Sequence, residues 1–200
     1  MKLLFVVALA LLLSSMAIAT PDSSQLGSYA VSFDMNTNLQ YQKEVVQPIE
    51  TESATIYQMR IFTDNSTAAG ISLFENKEMT DATLLMHKNI MALQMALRGL
   101  NVTSIDDMTI DGKQGFVATS VPIPGAQGVP ADAKLYSAMY WLDSMTCGDC
   151  GPVSAGKTYV IVSSSYPQDV TQNLLNSLHV EMGQAAAPAG TTQDMPPAQN

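Results

Sequence analysis

The sequence predicts an α+β domain, a single twisted antiparallel sheet of about six to eight strands covered by two helices as a sandwich. Three features point there. Segments with apolar residues at alternate positions recur between short polar turns, a long helical stripe interrupts them midway, and a second helical stripe follows the last of them. Strands joined by turns of a few residues pair antiparallel, and two helices with one apolar stripe each need a sheet to cover.

The chain of 200 residues opens on an export signal. Lys2 gives a positive start, Leu3 to Leu13 is apolar without a break, and Ala17-Ile18-Ala19 puts small residues at the cleavage-recognition positions. This is the anatomy of a signal peptide over Met1–Ala19, cut after Ala19. The rival reading is a retained membrane anchor, but a span wants roughly 20 apolar residues and this stretch is shorter. No Cys lies near the cleavage point to carry a lipid, and no second apolar run follows. The mature protein is therefore expected to be soluble, periplasmic or extracellular, and without a membrane anchor. Its net charge of −9 becomes more negative once Lys2 is lost. Such a surface repels nucleic acid and anionic lipid, so neither is expected as a partner.

Thr20–Leu26 is polar and expected to be flexible, with one folded domain over Gly27–Met182. Tyr29, Val31 and Phe33 alternate with small residues as the opening strand. Tyr41–Pro48 and Ala54–Thr63 read as strands around the turn Glu50-Thr51-Glu52-Ser53, and Ile71–Glu75 as a fourth after Asp64–Gly70. The first helix is framed by Thr80 as N-cap, Asp81 in its first turn and Gly99 as left-handed C-terminal residue. Met86, Ile90, Leu93, Leu97 and Leu100 form its stripe, which is expected to face the core. Val102–Ile110 and Gly115–Val121 are strands joined through Asp111-Gly112, a tight-turn pair. Pro122–Ala133 is a Pro/Gly-rich loop, and Leu135–Ser144 and Thr158–Ser164 are another strand pair. Pro167–Met182 reads as the second helix, with Val170, Leu174, Leu175, Leu178 and Met182 as its stripe and Pro167 in the first turn. Gly183–Asn200, rich in Ala, Pro and Gln, lacks the apolar surface to offset its ordering entropy and is expected to be disordered.

The stretch Cys147-Gly-Asp-Cys-Gly-Pro-Val-Ser-Ala-Gly-Lys-Thr158 spells two motifs. Gly151-x-x-x-x-Gly156-Lys157-Thr158 satisfies the phosphate-loop pattern, which works when a strand, a loop and a helix N-terminus wrap the phosphates. Here Tyr159-Val-Ile-Val162 follows, aromatic and β-branched, and predicts a strand. Nucleotide chemistry fails on that context. Cys147-x-x-Cys150 is reactive when a helix N-terminus lowers the first thiol's pKa, and Gly151, Pro152 and Gly156 oppose a helix. The chain has 2 cysteines, so in an exported protein a structural disulfide between them is the expected outcome. Closing so short a ring contributes about 2 kcal/mol in the chain-entropy model. Zinc would want a second paired motif, and His87 and His179 are remote.

Other candidates are sparse. His87, Met91 and Met95 lie four residues apart on the first helix, and imidazole with thioether suits Cu(I). The competing reading gives Met91 and Met95, with Leu84 beside them, to the core as gap-fillers. There is no Gly-x-Ser-x-Gly elbow or His-Glu-x-x-His motif. Asp106, Asp107 and Asp111 form an acidic cluster in a turn region, which solvation alone explains. A Ser/His/Asp site assembled from distant residues stays open, because such sites are spatial. Asn65-Ser-Thr67 and Asn101-Val-Thr103 match the glycosylation acceptor pattern. No cofactor is expected.

Tyr29-Ala-Val-Ser-Phe33 as opening strand, Asp111-Gly-Lys-Gln-Gly-Phe-Val117 after the first helix, and Tyr159–Ser165 leading into the last helix together resemble the PsbP-like superfamily. That group of α/β/α sandwiches includes photosystem extrinsic subunits and a Ran-binding nuclear-transport factor. The resemblance implies a non-catalytic binding or assembly module and transfers no site residue. The resulting expectation is an exported accessory domain that binds a protein or small ligand, with Pro122–Ala133 and the Cys147–Cys150 loop as contact surfaces. The alternatives are a copper-handling protein using His87, Met91 and Met95, and a hydrolase of unrecognised geometry.

Overall fold

The computed structural model of the chain describes residues 21–63, 67–80, 84–125, 130, 132–143, 145–146 and 154–183. Met1–Ala19, the tail after Gly183, Asn65, Cys147 and Cys150 lie outside the described residues. β1 (Asp22–Leu26) turns into β2 (Tyr29–Phe33), and β3 (Gln42–Glu50), β4 (Ala54–Phe62) and β5 (Ala68–Thr80) form a meander. α1 (Leu84–Leu97) precedes the hairpin of β6 (Leu100–Ile110) and β7 (Lys113–Pro122). Then come β8 (Leu135–Trp141), the short β9 (Met145–Thr146), β10 (Ser154–Ser164), α2 (Gln168–Ser177) and β11 (His179–Met182).

The expected α+β sandwich on one sheet is corrected by this arrangement. Among the described residues the protein is mostly β, with 58% strand against 17% helix, and the strands form two sheets. The larger runs β3-β4-β5-β10-β8-β7-β6, with β9 added on β10, and the smaller runs β1-β2-β11. All pairings are antiparallel. The large sheet has the predicted size; the small one comes from two segments that read otherwise.

Asp22–Leu26, expected to be flexible, is a strand held against β2 by a two-residue turn. Gly27 makes that turn at φ +60°, and a Cβ there would lie 2.2 Å from the Tyr57 ring. Only glycine meets both conditions. At the other end, the helix expected to reach Met182 stops at Ser177, because Leu178 turns extended at φ −60°, ψ 127°. Leu178 and Val180 are both buried while Met182 is exposed, so a period of two has replaced the helical one.

Each edge strand of the small sheet is tied to the large one through a carboxylate. Asp22 in β1 accepts hydrogen bonds from Lys43 Nζ at 2.7 Å and from the Tyr41 hydroxyl. In β11, the Val180 N–H donates to Asp111 at 3.2 Å, and His179 Nδ1 lies 2.7 Å from the same carboxylate. Asp111 and Gly112 form the β6–β7 turn, both at positive φ (52° and 70°), as the Asp-Gly pair predicts.

The large sheet sorts its side chains by parity. From β10, Val160 and Val162 face the small sheet and α2, joining Phe33, Ile71, Tyr140 and Leu174 in the main core. Tyr159 and Ile161 face α1, packing against a second cluster that includes Met91, Met95, Phe116, Met139 and Trp141. Burying each such large apolar side chain stabilises by roughly 1.5–3 kcal/mol before entropy is counted.

α1 is turned the other way from its expected orientation. Leu85, Met86, Ile90, Leu93 and Leu97 are 67, 48, 39, 61 and 79% exposed, while Met91 and Met95 are the buried pair. The helix is apolar on two sides, and spacing alone does not choose between them. Leu100 belongs to β6 and is half-buried. Gly99 does take the left-handed conformation, at φ +75°. Thr80 does not cap the helix: it ends β5, and α1 begins at Leu84. α1 packs on β6 and β7.

The two open edges of the large sheet, β3 and β6, each carry a register break, between Val46 and Ile49 and between Val102 and Ser104. Pro48 sits within the first, where its missing N–H costs no ladder bond.

Candidate functional site

The face of the large sheet turned toward α1 is a grid, because β4, β5, β10 and β8 pair residue against residue. One row across those strands reads Ile56, Phe74, Tyr159 and Trp141. The next reads Gln58, Ser72, Ile161 and Met139, and the third Arg60, Gly70, Ser163 and Ser137. The floor thus grades from aromatic to small and hydroxyl-bearing. α1 stands over the β6–β7 half and leaves the β4–β5–β10 part open, so a groove of about 370 Å³ runs between helix and sheet. Its helix wall is Met91, Gln94, Met95 and Arg98.

The two ends of the groove differ chemically. At the aromatic end Phe74 and Tyr159 stack at 4.8 Å with their planes 4° apart. Trp141 meets Tyr159 edge-on at 5.2 Å, and His87 lies 5.3 Å from Trp141. His87 Nε2 and Trp141 Nε1 are buried there without a hydrogen-bond partner among the described residues. Burial lowers the His87 pKa and raises that of the Tyr159 phenol, so both are neutral at neutral pH. The opposite end lies three helical turns further along α1, where Gly99 accepts the Ile123 N–H beyond β7. Arg98 stands at that end, with Ser137 and Ser163 on the floor, and has no carboxylate partner among the described residues.

Of the candidates taken from sequence, the copper set comes together on one face: Met91 and Met95 sit in the cluster under α1 with Met139, and His87 touches that cluster's Trp141. Among the described residues no three His, Cys, Asp or Glu side chains gather as metal ligands. The acidic trio is split. Asp106 and Asp107 are exposed on β6, Asp107 pairs with Lys88 at 2.6 Å, and Asp111 serves the turn and β11. His179 and Asp111 form a His–Asp pair, but the second imidazole nitrogen faces Glu181 at 3.7 Å, where a triad needs a hydroxyl nucleophile. Asn101 is exposed near the start of β6.

The phosphate-loop residues have other employment. Ser154–Ser164 is extended and paired with β5 and β8, so no helix N-terminus follows Thr158. The N–H groups of Lys157 and Thr158 donate to the Asp143 carboxylate, at 3.1 and 2.8 Å. An anion already built into the chain occupies the place a phosphate would take. Gly156 is required by packing, since a Cβ would stand 2.6 Å from the Trp141 ring. The loop Pro122–Ala133 is only partly described, and the Cys147–Cys150 tip lies outside the described residues.

No family model, curated protein or solved structure matches this chain, so the PsbP-like resemblance rests on sequence pattern alone. Among the described residues no helix is long and apolar enough to cross a membrane.

Proposed function

We propose that the chain is an exported, non-catalytic binding protein whose groove beside α1 holds a small amphiphilic molecule with a carboxylate-type head. The observation that carries this reading is the graded floor: stacked Phe74 and Tyr159 at one end, Ser137, Ser163 and Arg98 at the other. Pockets for small ligands are mostly apolar with a few placed polar groups. The aromatic end offers flat surface for an acyl or aryl body, and the guanidinium offers two parallel donors to a carboxylate.

Trp141, the only tryptophan in the chain, reports on the aromatic end. Titration with medium-chain fatty acids and phenyl-substituted carboxylates, against the matching alcohols, should change its emission with micromolar affinity for the acids. Arg98→Gln should weaken the acids at least tenfold and leave the alcohols unchanged, while Tyr159→Ala should weaken both. Unaltered emission and melting temperature with every probe would reject the reading.

A second reading is favoured by one observation, the unpartnered Nε2 of His87 on the same helix face as Met91 and Met95. A neutral imidazole is the ligand-competent form, and thioethers favour Cu(I). Stoichiometric Cu(I) binding that vanishes in Met91→Leu, Met95→Leu supports it; absence of binding by the unmodified protein removes it.

A further inference from the structure

A second cavity, of about 320 Å³, lies on the opposite face of the large sheet, between α2 and the β6–β7 hairpin. Its floor follows from parity. Val117 packs against the main core. Thr119, two residues further along β7, pairs with Tyr136 of β8, so Val117, Thr119 and Tyr136 share one face. The facing wall comes from α2, through Leu175 and through Gln168 and Gln172, which stand one helical turn apart. The volume sits at the small end of ligand pockets, about 300–1,000 Å³.

Tyr136 marks the cavity as a site. It is 7% exposed and lines the cavity, yet its hydroxyl has no hydrogen-bond partner among the described residues. A nearly buried phenol without a partner is costly unless something bound supplies one. Thr119, Gln168, Gln172 and Asp106 line the same space, and their side chains make no hydrogen bond with the described residues. Thr171 and Asp107 are already engaged, with Ser164 at 2.8 Å and Lys88 at 2.6 Å. The unengaged groups define the ligand. A phenol, a hydroxyl and two carboxamides each donate and accept, and a carboxylate only accepts. Among the described residues no basic side chain lines the cavity, so an anion would meet Asp106 with nothing to neutralise it. An organic ammonium answers Asp106 but only donates, leaving the amide N–H groups and the phenol O–H without acceptors. We propose that this cavity binds a neutral sugar, whose ring hydroxyls donate and accept while its C–H face rests on Val117 and Leu175.

The test is calorimetric titration of the full chain with glucose, galactose, mannose, maltose and cellobiose, with putrescine as the cationic comparison. At least one sugar is expected to bind with a dissociation constant below about 5 mM. Tyr136→Phe removes only the hydroxyl and should weaken that sugar at least about tenfold, because a site built for hydroxyl groups depends on each partner. The melting temperature of the free variant should stay level or rise, since the phenol has no hydrogen bond to lose. A phenol with a purely structural role would lower it and leave the sugar bound as before. Should Tyr136→Phe fail to fold, Gln172→Leu on the exposed side of α2 should weaken the sugar at least about fivefold. No binding by any sugar at about 50 mM overturns the proposal, as does binding of putrescine alone or full affinity in a folded variant. No residue lines both this cavity and the groove beside α1, so a saturating fatty acid should leave the sugar in place. Displacement of the sugar by the fatty acid would also overturn the assignment.

Discussion

His179 Nδ1 and Asp111 Oδ1 lie 2.7 Å apart, and this contact fastens the closing strand of the small sheet to the turn between β6 and β7. The His179 pKa is raised first by that hydrogen bond. Burial opposes the rise, the charges of Asp111 and Glu181 add to it, and Lys113 subtracts. A histidine whose folded pKa exceeds its unfolded one contributes stability fully below the unfolded value, 6.5, and loses it as pH rises through the folded value. With His179 57% exposed, solvent screening holds the effect to under about 1 kcal/mol. Urea midpoints should fall modestly as pH rises above 6.5, and His179→Gln should flatten that slope.

His87 predicts the opposite slope. Burial beneath α1 puts its folded pKa below 6.5, so the unfolded chain takes up a proton first as pH falls through that value. Stability from this site is present above 6.5 and lost below it. His87→Phe should remove the acidic decline while leaving the His179 slope in place. Trp141 emission should hold steady down to pH 6.5 and fall only in more acid solution, when the neighbouring imidazole becomes charged.

Asp143 takes two N–H groups that would otherwise serve an external anion. Asp143→Ala leaves the Thr158 donor, in a part-buried position, without its acceptor, at a cost of about 1–2 kcal/mol. Asp143→Asn should recover part of that. Millimolar ATP should leave the melting temperature of the wild-type protein unchanged; a rise would restore the phosphate-loop reading.

Two glycines of one hairpin should behave differently. At Gly115 a Cβ would stand 2.5 Å from the Met139 carbonyl oxygen, a backbone atom that cannot step aside. Gly115→Ala should cost about 1–3 kcal/mol through displacement of β7 from β8. At Gly112 nothing lies within 4 Å of an added Cβ, and only the φ of +70° resists it. Gly112→Ala should cost about 1 kcal/mol. Denaturation midpoints of the two variants give the comparison directly.

Most of the large sheet was legible because its strands are rich in β-branched and aromatic residues and its turns are chemically explicit, Asp111-Gly112 above all. The small sheet was not. Asp22–Leu26 has a single large apolar residue and gains its strand state from pairing with β2, a tertiary effect that local pattern does not carry. His179–Met182 was masked because Leu178 and Met182 also fit a helical period. On α1 the sequence held two apolar stripes, and the choice between them fell to Phe116, Met139 and Trp141, far along the chain. The groove escaped for the same reason. Its floor is assembled across four strands, and Ser72, Ser137 and Ser163 read singly as ordinary solvent-facing serines.

Breaks in register at β3 and β6, one of them holding Pro48, leave the large sheet with no straight border for a foreign strand to extend. Peptide capture by added strands and growth into cross-β fibres are both blocked at those borders. At the large sheet, contact with other molecules then passes through side chains, by way of the groove beside α1.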